Sequence, residues 1–196
     1  MSRQFKESIA NEEIRELEMG RFEGRIHLID SYRELKAAVK KISKGDYLGF
    51  DTETRPTFKK GQVNKVSLLQ LANKTDAWLF RLNMTGLTPE LAEILSNPEI
   101  IKVGVALPQD LRTLNVLRDF QPAGFIDLQD WVKSFGIKDA GLRKLTGLVL
   151  GFRLSKTQQV TDWEAESLTE AQQIYAATDA WAAFEIYRVL SNGGIH

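Results

Sequence analysis

Apolar and polar positions along the chain fall into segments of two periods. Residues 1–24 are dominated by charge. Ile14 and Leu17, three apart, share a face of one short helix ringed by Glu12, Glu13, Arg15, Glu16 and Glu18, which predicts a largely exposed N-terminal extension. The run 25–29 reads as a strand. Ser31 with Glu34 three positions later opens a helix through Leu35, Ala38, Val39 and Ile42 that ends near Gly45. Runs at 47–53, 63–72 and 77–82 read as strands, and the short gaps between them, with Pro56, Gly61, Asn73 and Asp76, favour antiparallel hairpins. Thr88-Pro89 starts a helix that stops at Ser96-Asn97-Pro98. The nearly all-apolar run 100–105 has the character of a buried parallel strand. A helix over about 109–118, a short strand at 124–126 and helices near 128–135 and 141–149 follow, with Asp127 as an N-cap. Residues 151–167 show no period and read as an ordered loop in which Asp162 makes a turn and Trp163 packs. Thr169 with Gln172 is a second capping box, opening the longest helix to about 190, where Asn192-Gly193-Gly194 ends it. Hairpin strands followed by alternating helix and strand imply a mixed α/β sheet with helices on both faces.

Composition then narrows the chemistry. Among 196 residues there is no cysteine, which excludes a disulfide framework, thiolate zinc sites and thiol catalysis. His27 and His196 are the two histidines, so an imidazole-built metal centre or a Ser-His-Asp triad has little to draw on. Any chemistry rests mainly on carboxylates. Basic and acidic residues number 26 each, and a net charge of zero gives no global footprint for nucleic acid. The N-terminus lacks the apolar centre of a signal peptide, and no apolar run approaches the ~18 residues of a membrane span, so a cytoplasmic location is expected.

Several carboxylates occupy positions where burial penalises them. The apolar strand at 47–53 ends in Asp51-Thr52-Glu53, and strand alternation points Asp51 and Glu53 the same way with Thr52 opposite. Two like charges side by side repel and call for a cation, unless they are simply solvated at a strand end. Asp179 lies on the apolar stripe of the last helix with Tyr175, Ala182, Ala183 and Ile186, and its mid-helix position excludes capping. Asp110 shares a face with Thr113, Leu114 and Leu117, or caps its helix. Inward carboxylates are uncommon unless paired or metal-bound. An all-oxygen donor set favours Mg²⁺ or Mn²⁺, and such clusters serve phosphoryl chemistry.

Asp51-Thr52-Glu53 after an apolar strand, Asp110 in VGVALPQDLRTL and Tyr175-Ala-Ala-Thr-Asp179 resemble the three motifs of the DEDDy 3′–5′ exonucleases, of the ribonuclease D and Werner helicase exonuclease-domain type. VSLLQLA at 66–72 and the stretch 155–187 are similar to further signatures of that family, and the resemblance covers residues 25–190. It implies a ribonuclease H-like fold: a mixed five-stranded sheet, the first three strands antiparallel, helices on both faces, with residues 25–44 as a lead-in. Residues 1–24 would be a helical extension, 25–190 the exonuclease domain and 191–196 a tail. The sequence departs from the family pattern at Thr54, where a bulky residue is frequent, and over 105–108.

The resemblance also implies roles. Asp51, Glu53 and Asp179 would bind two divalent ions directly, with Asp51 bridging them, and Asp110 would act partly through water. Tyr175 would orient the attacking water; at its ordinary pKa of ~10 it is better suited to that than to acting as a base. The expected reaction releases nucleoside 5′-monophosphates from DNA or RNA 3′ ends, single-stranded by preference. Thr52, Arg55 and Lys156 are candidate substrate contacts, with Lys59, Lys60 and Lys65 near the first motif; each basic residue equally reads as a solvated surface group. Processivity is expected to need a protein partner, since no helicase region or further nucleic-acid-binding domain occurs in these residues. The competing readings are a catalytically silent binding or scaffold module, which the retention of all four acids and the tyrosine disfavours, and a phosphohydrolase of small nucleotides. With the four acids set against divalent ions, the remainder carries a formal +4, so neutrality does not exclude a nucleic-acid partner bound in a salt-sensitive way.

Overall fold

The computed structural model describes residues 5–42, 47–56 and 64–192. In chain order the elements are α1 (Asn11–Glu16), β1 (Arg25–Ile29), α2 (Tyr32–Ile42), β2 (Tyr47–Thr54), β3 (Val66–Ala72), β4 (Asp76–Arg81), α3 (Leu82–Thr85), α4 (Pro89–Ser96), β5 (Ile101–Gly104), α5 (Leu107–Leu117), β6 (Phe125–Asp127), α6 (Leu128–Trp131), α7 (Leu142–Leu145) and α8 (Glu170–Ser191). A 3₁₀ turn at Val132–Phe135 continues α6, and a π turn at Thr146–Leu150 continues α7. Gly45, Lys59, Lys60, Gly61 and the tail 193–196 lie outside the described residues.

The strands form one sheet in the order β1-β4-β3-β2-β5-β6. β2, β3 and β4 are antiparallel neighbours, as the hairpin pattern predicts, and β5 and β6 add in parallel beyond β2. The sheet has six strands rather than five, because β1, expected only as a lead-in, pairs in parallel along β4. Asp76 adds side-chain links to this pairing. Its sequence context suggests a turn, but it is the buried first residue of β4 and accepts hydrogen bonds from His27 Nε2 at 2.7 Å and an Arg25 guanidinium nitrogen at 3.1 Å. The turn itself is made by Asn73, whose side chain accepts the N–H groups of Thr75 and Asp76.

Helices cover both faces. Leu35 and Ile42 of α2, Leu91 and Leu95 of α4 and Leu114 of α5 pack over Leu48, Phe50, Leu69, Leu71 and Phe80. On the opposite face Ala176, Ala177 and Ala180 of α8 lie on Leu68, Ala72, Ala77 and Leu79. Farther along α8, Ile186 and Val189 join Val103, Leu128 and Leu145. The helix starts with the expected capping box: the Thr169 hydroxyl accepts the Gln172 N–H, and the Gln172 side chain accepts the Thr169 N–H. Its small residues let it approach β2 closely. A Cβ placed on Gly49 would lie 1.8 Å from the Ala180 carbonyl oxygen, so this contact requires glycine.

The short, largely exposed helix that the charge of residues 5–24 predicts is present as α1, but the segment is also anchored to the rest of the chain. Ile9, Ile14 and Phe22 are buried. The backbone is tied to distant parts of the chain: Lys138 N–H donates to Glu7 O at 2.7 Å, Arg153 N–H to Glu18 O at 2.9 Å and Gly20 N–H to Arg153 O at 3.1 Å. Phe22 N–H donates to the Thr178 hydroxyl at 3.0 Å. The segment is a strap whose few apolar anchors are too irregularly spaced to give a periodic signal.

Gly49→Ala forces α8 away from β2. Overpacking of this kind costs about 2 kcal/mol or more, and we expect a melting temperature at least ~4 °C lower with impaired activity, since the displaced helix carries Asp179. An unchanged melting curve would contradict the close contact.

Candidate active site

Alternation along β2 sorts its side chains. Gly49, Asp51 and Glu53 face α8, whereas Phe50 and Thr52 face the α5 side. α8 brings Asp179 to the first group. One oxygen each from Asp51, Glu53 and Asp179 lie within 4.8 Å of one another. All three side chains are partly buried at the wall of a cleft of about 270 Å³, whose apolar lining includes Phe50, Val105 and Leu142.

Charge is expensive here. Burial first, then the neighbouring Asp179 and Asp110, raises the Asp51 pKa well above the usual carboxylate range. Glu53 is pushed up to about 9 by burial and then by Asp51, Asp179 and Asp110. Burial likewise raises Asp179, opposed by a favourable contact from the Tyr175 hydroxyl. Among the described residues, no lysine or arginine forms an ion pair with any of the three. A hard divalent cation fits this donor set: it takes oxygen ligands and offsets the burial and the mutual repulsion that otherwise favour the protonated forms.

Asp110 stands apart from the three. It lies in the first turn of α5, and Thr52 Oγ1, on the opposite side of β2 from Asp51, donates to its Oδ1 at 2.8 Å. Burial raises its pKa, the Thr52 hydrogen bond lowers it and Asp127 raises it. Its charge still acts on Asp51 and Glu53. The structure therefore gathers three of the four acids and tethers the fourth through Thr52.

Asp127 does more than cap α6. It accepts the Gln129 N–H as expected, and its two oxygens also accept the N–H groups of Ala106 at 3.1 Å and Leu107 at 2.9 Å. Ala106 has φ of 60°, a left-handed conformation that costs a non-glycine residue roughly 1–2 kcal/mol. Asp127 thus holds a strained corner and the start of α5, which carries Asp110. The sequence shows the cap but not the second role, because the contact spans 20 residues and two elements.

Tyr175 is one turn before Asp179 on α8 and also lines the cleft. Burial, then the charges of Asp179 and Glu53, drives its hydroxyl pKa far above the ordinary value, so the group keeps its proton. Gln70 is a site neighbour that the hydrophobic pattern does not single out. It is fully buried on β3 in register with Asp51, and neither amide atom has a hydrogen-bond partner among the described residues. Its signal is an amide in the mostly apolar VSLLQLA, whose other polar residue is Ser67.

The substrate-contact candidates diverge. The Thr52 hydroxyl is committed to Asp110. Arg55 is held by Asp162 at 3.7 Å and Glu164 at 3.5 Å. Lys65 and Lys156 are exposed. Trp163 is wholly buried, in keeping with a packing role, and Asp162 accepts the Glu164 N–H in the expected turn.

The profile of the 3′–5′ exonuclease family matches residues 26–194. The bifunctional 3′–5′ exonuclease/ATP-dependent helicase WRN of Mus musculus is 37% identical over 163 residues, 79% of this chain but 11% of that protein. The chain thus spans a small part of that relative. The Nibbler EXO domain of Aedes aegypti superposes with a TM-score of 0.79 at 25% identity, covering 89% of this chain and 92% of that one. Escherichia coli RNase D superposes with a TM-score of 0.75 at 26% identity, covering 87% of this chain and 45% of that one.

Asp127→Asn removes the charge and keeps one neutral acceptor, and Asp127→Ala removes both acceptors. We expect graded losses of about 1 and about 3 kcal/mol in chemical denaturation, each with reduced activity. Equal, negligible losses would contradict the corner-holding role. A second expectation concerns pH. Raised carboxyl pKa values mean that the native state binds protons more tightly than the unfolded chain, so metal-free stability falls as pH rises from about 4.3, the ordinary glutamate value, through the Glu53 value of about 9. The gain in melting temperature on adding Mg²⁺ should therefore grow between pH 5.5 and pH 8.5. A gain independent of pH would show that the ion does not bind these carboxylates.

Proposed function

The chain belongs to the 3′–5′ exonuclease family, and on that premise we propose that it hydrolyses nucleic acids from their 3′ ends, releasing nucleoside 5′-monophosphates, with two Mg²⁺ or Mn²⁺ ions at its acidic cluster. The observation that carries this reading is the triad of partly buried carboxylates within 4.8 Å, raised in pKa. Asp51, Glu53 and Asp179 are the direct ligands in this reading, and Asp110 contributes through water from its tether on Thr52. Bound divalent ions supply two effects: they activate a water as nucleophile and stabilise the leaving 3′ oxygen.

The protein's own groups do the positioning. Tyr175 retains its proton and donates a hydrogen bond that orients the attacking water. Val105 and Leu142 give the terminal nucleotide an apolar wall beside the acids. A single strand fits this arrangement because the 3′ residue must leave its neighbours' stacking to enter the cleft. Arg55 is occupied by Asp162 and Glu164, so Lys156 is the preferred phosphate contact. Escherichia coli RNase D is described as an exoribonuclease involved in structured RNA processing, and the mouse relative as an exonuclease joined to a helicase; both support a nucleic-acid substrate.

The test is degradation of 5′-labelled single-stranded DNA and RNA. A ladder shortening from the 3′ end is expected with Mg²⁺ or Mn²⁺ and none with EDTA. Asp51→Ala and Asp179→Asn should each lower kcat about a thousandfold, equivalent to ~4 kcal/mol of lost transition-state stabilisation. Tyr175→Phe should cost roughly a hundredfold. A metal-independent ladder, or ladders undiminished in both acid variants, would remove the assignment.

A further inference from the structure

The cations of this chain are not spread evenly, although its net charge is zero. A second cleft, of about 410 Å³, is lined by Arg15, Arg143, Arg153 and Lys156, with Met19 and the hydroxyls of Ser155 and Thr157 between them. Among the described residues no carboxylate lines it. Among those residues, too, none of the four cations has a carboxylate partner; the Arg153 Nε donates instead to the Leu17 carbonyl at 2.9 Å. Arg143 and Arg153 are half-buried, where an unneutralised guanidinium is costly.

Shared lining residues link this cleft to the acidic site. A pocket of about 230 Å³ has Met19, Ser155 and Thr157 in common with the basic cleft and Tyr175 and Asp179 in common with the acidic one. The strap supplies part of both walls. It is fixed there by the paired backbone bonds between Glu18, Gly20 and Arg153 and by Phe22 N–H on Thr178, the residue next to Asp179. Residues 5–24 precede the segment that the family profile matches.

We propose that the strap completes a phosphate-binding track for the nucleotides on the 5′ side of the scissile bond, running from Asp179 past Met19 to the Arg15–Arg143–Arg153–Lys156 cleft. The inference rests on the exonuclease reading. A strand whose 3′ end lies at the carboxylates must lead its preceding phosphates away from them. This path offers a change of sign from an acidic centre to an unpaired basic cleft, with hydroxyl donors along it. The guanidinium groups suit phosphate oxygens, which they bind through paired N–H donors. Met19, 54% exposed at the junction, offers an apolar, polarisable surface to a base.

Arg15 is the diagnostic residue, because it is exposed on α1 and its removal disturbs no hydrogen bond of the strap. The test compares kcat/KM on a dinucleotide with that on a 12-nucleotide single strand. Arg15→Glu should lower the ratio of long to short substrate at least tenfold, through KM rather than kcat. Binding of a labelled 12-mer is measured in parallel on the Asp179→Asn protein. Adding Arg15→Ala and Arg143→Ala should reduce the slope of log affinity against log salt by about 1.4, or about 0.7 for each single-strand phosphate that is no longer neutralised. Arg15→Ala alone should give about half that change and guards against a folding defect at Arg143. An unchanged length ratio together with an unchanged salt slope would overturn the track. If the unsubstituted protein shortens no oligomer, the exonuclease reading fails, and the salt slope still decides the track by itself.

Discussion

The contact between β2 and α8 is the constraint on which the rest of the structure depends. Gly49 lets the helix backbone reach the strand, and that approach sets Asp179 against Asp51 and Glu53. The helix face that makes the contact is built from alanines, so it gives up the larger apolar burial that leucines would provide in return for proximity. The result is a concentration of like charge that the protein's own side chains do not neutralise. A fold that uses close packing to assemble repelling carboxylates is arranged for a cation rather than for maximal stability.

The remaining site features follow from the same geometry. Asp110, on α5, stands outside the tight group of three acids, and Thr52, on the other side of β2 from Asp51, links it to the strand. The start of α5 is in turn fixed by Asp127 at the strained Ala106 corner. Positioning therefore runs through a strand, two helices and a strand end, none of which assembles the acidic cluster by itself. Electrostatics complete the picture at larger scale: the acidic centre is flanked by a basic cleft, and the strap is part of the wall between them. Zero net charge conceals this separation.

Much of the architecture is legible from periodicity. Every strand in the sheet coincides with a segment whose apolar pattern or turn boundaries announce it, and the caps at Thr88 and Thr169 set the starts of α4 and α8. The acids are legible because carboxylates on apolar stripes violate ordinary burial preferences. What escapes is non-local. The run 25–29 announces a strand, but not that it pairs in parallel along β4, where Asp76 adds a side-chain link to His27. The strap is held by backbone bonds to residues more than 100 positions away, which local composition cannot announce. α3, a single turn after β4, follows an apolar strand without a capping signal. The separation of Asp110 from the other acids depends on which side of β2 faces α5, and motif order does not specify that.

The central claim is that Asp51, Glu53 and Asp179 form one cation site. The most direct measurement is a crystal structure of the protein soaked in Mn²⁺, with anomalous scattering used to locate the ion. The account predicts an anomalous peak bonded to oxygens of all three carboxylates at roughly 2.0–2.2 Å, distances ordinary for a hard divalent ion of this size. A site left vacant at saturating Mn²⁺, or an ion bound elsewhere while the three carboxylates hydrogen-bond one another in protonated form, would contradict it.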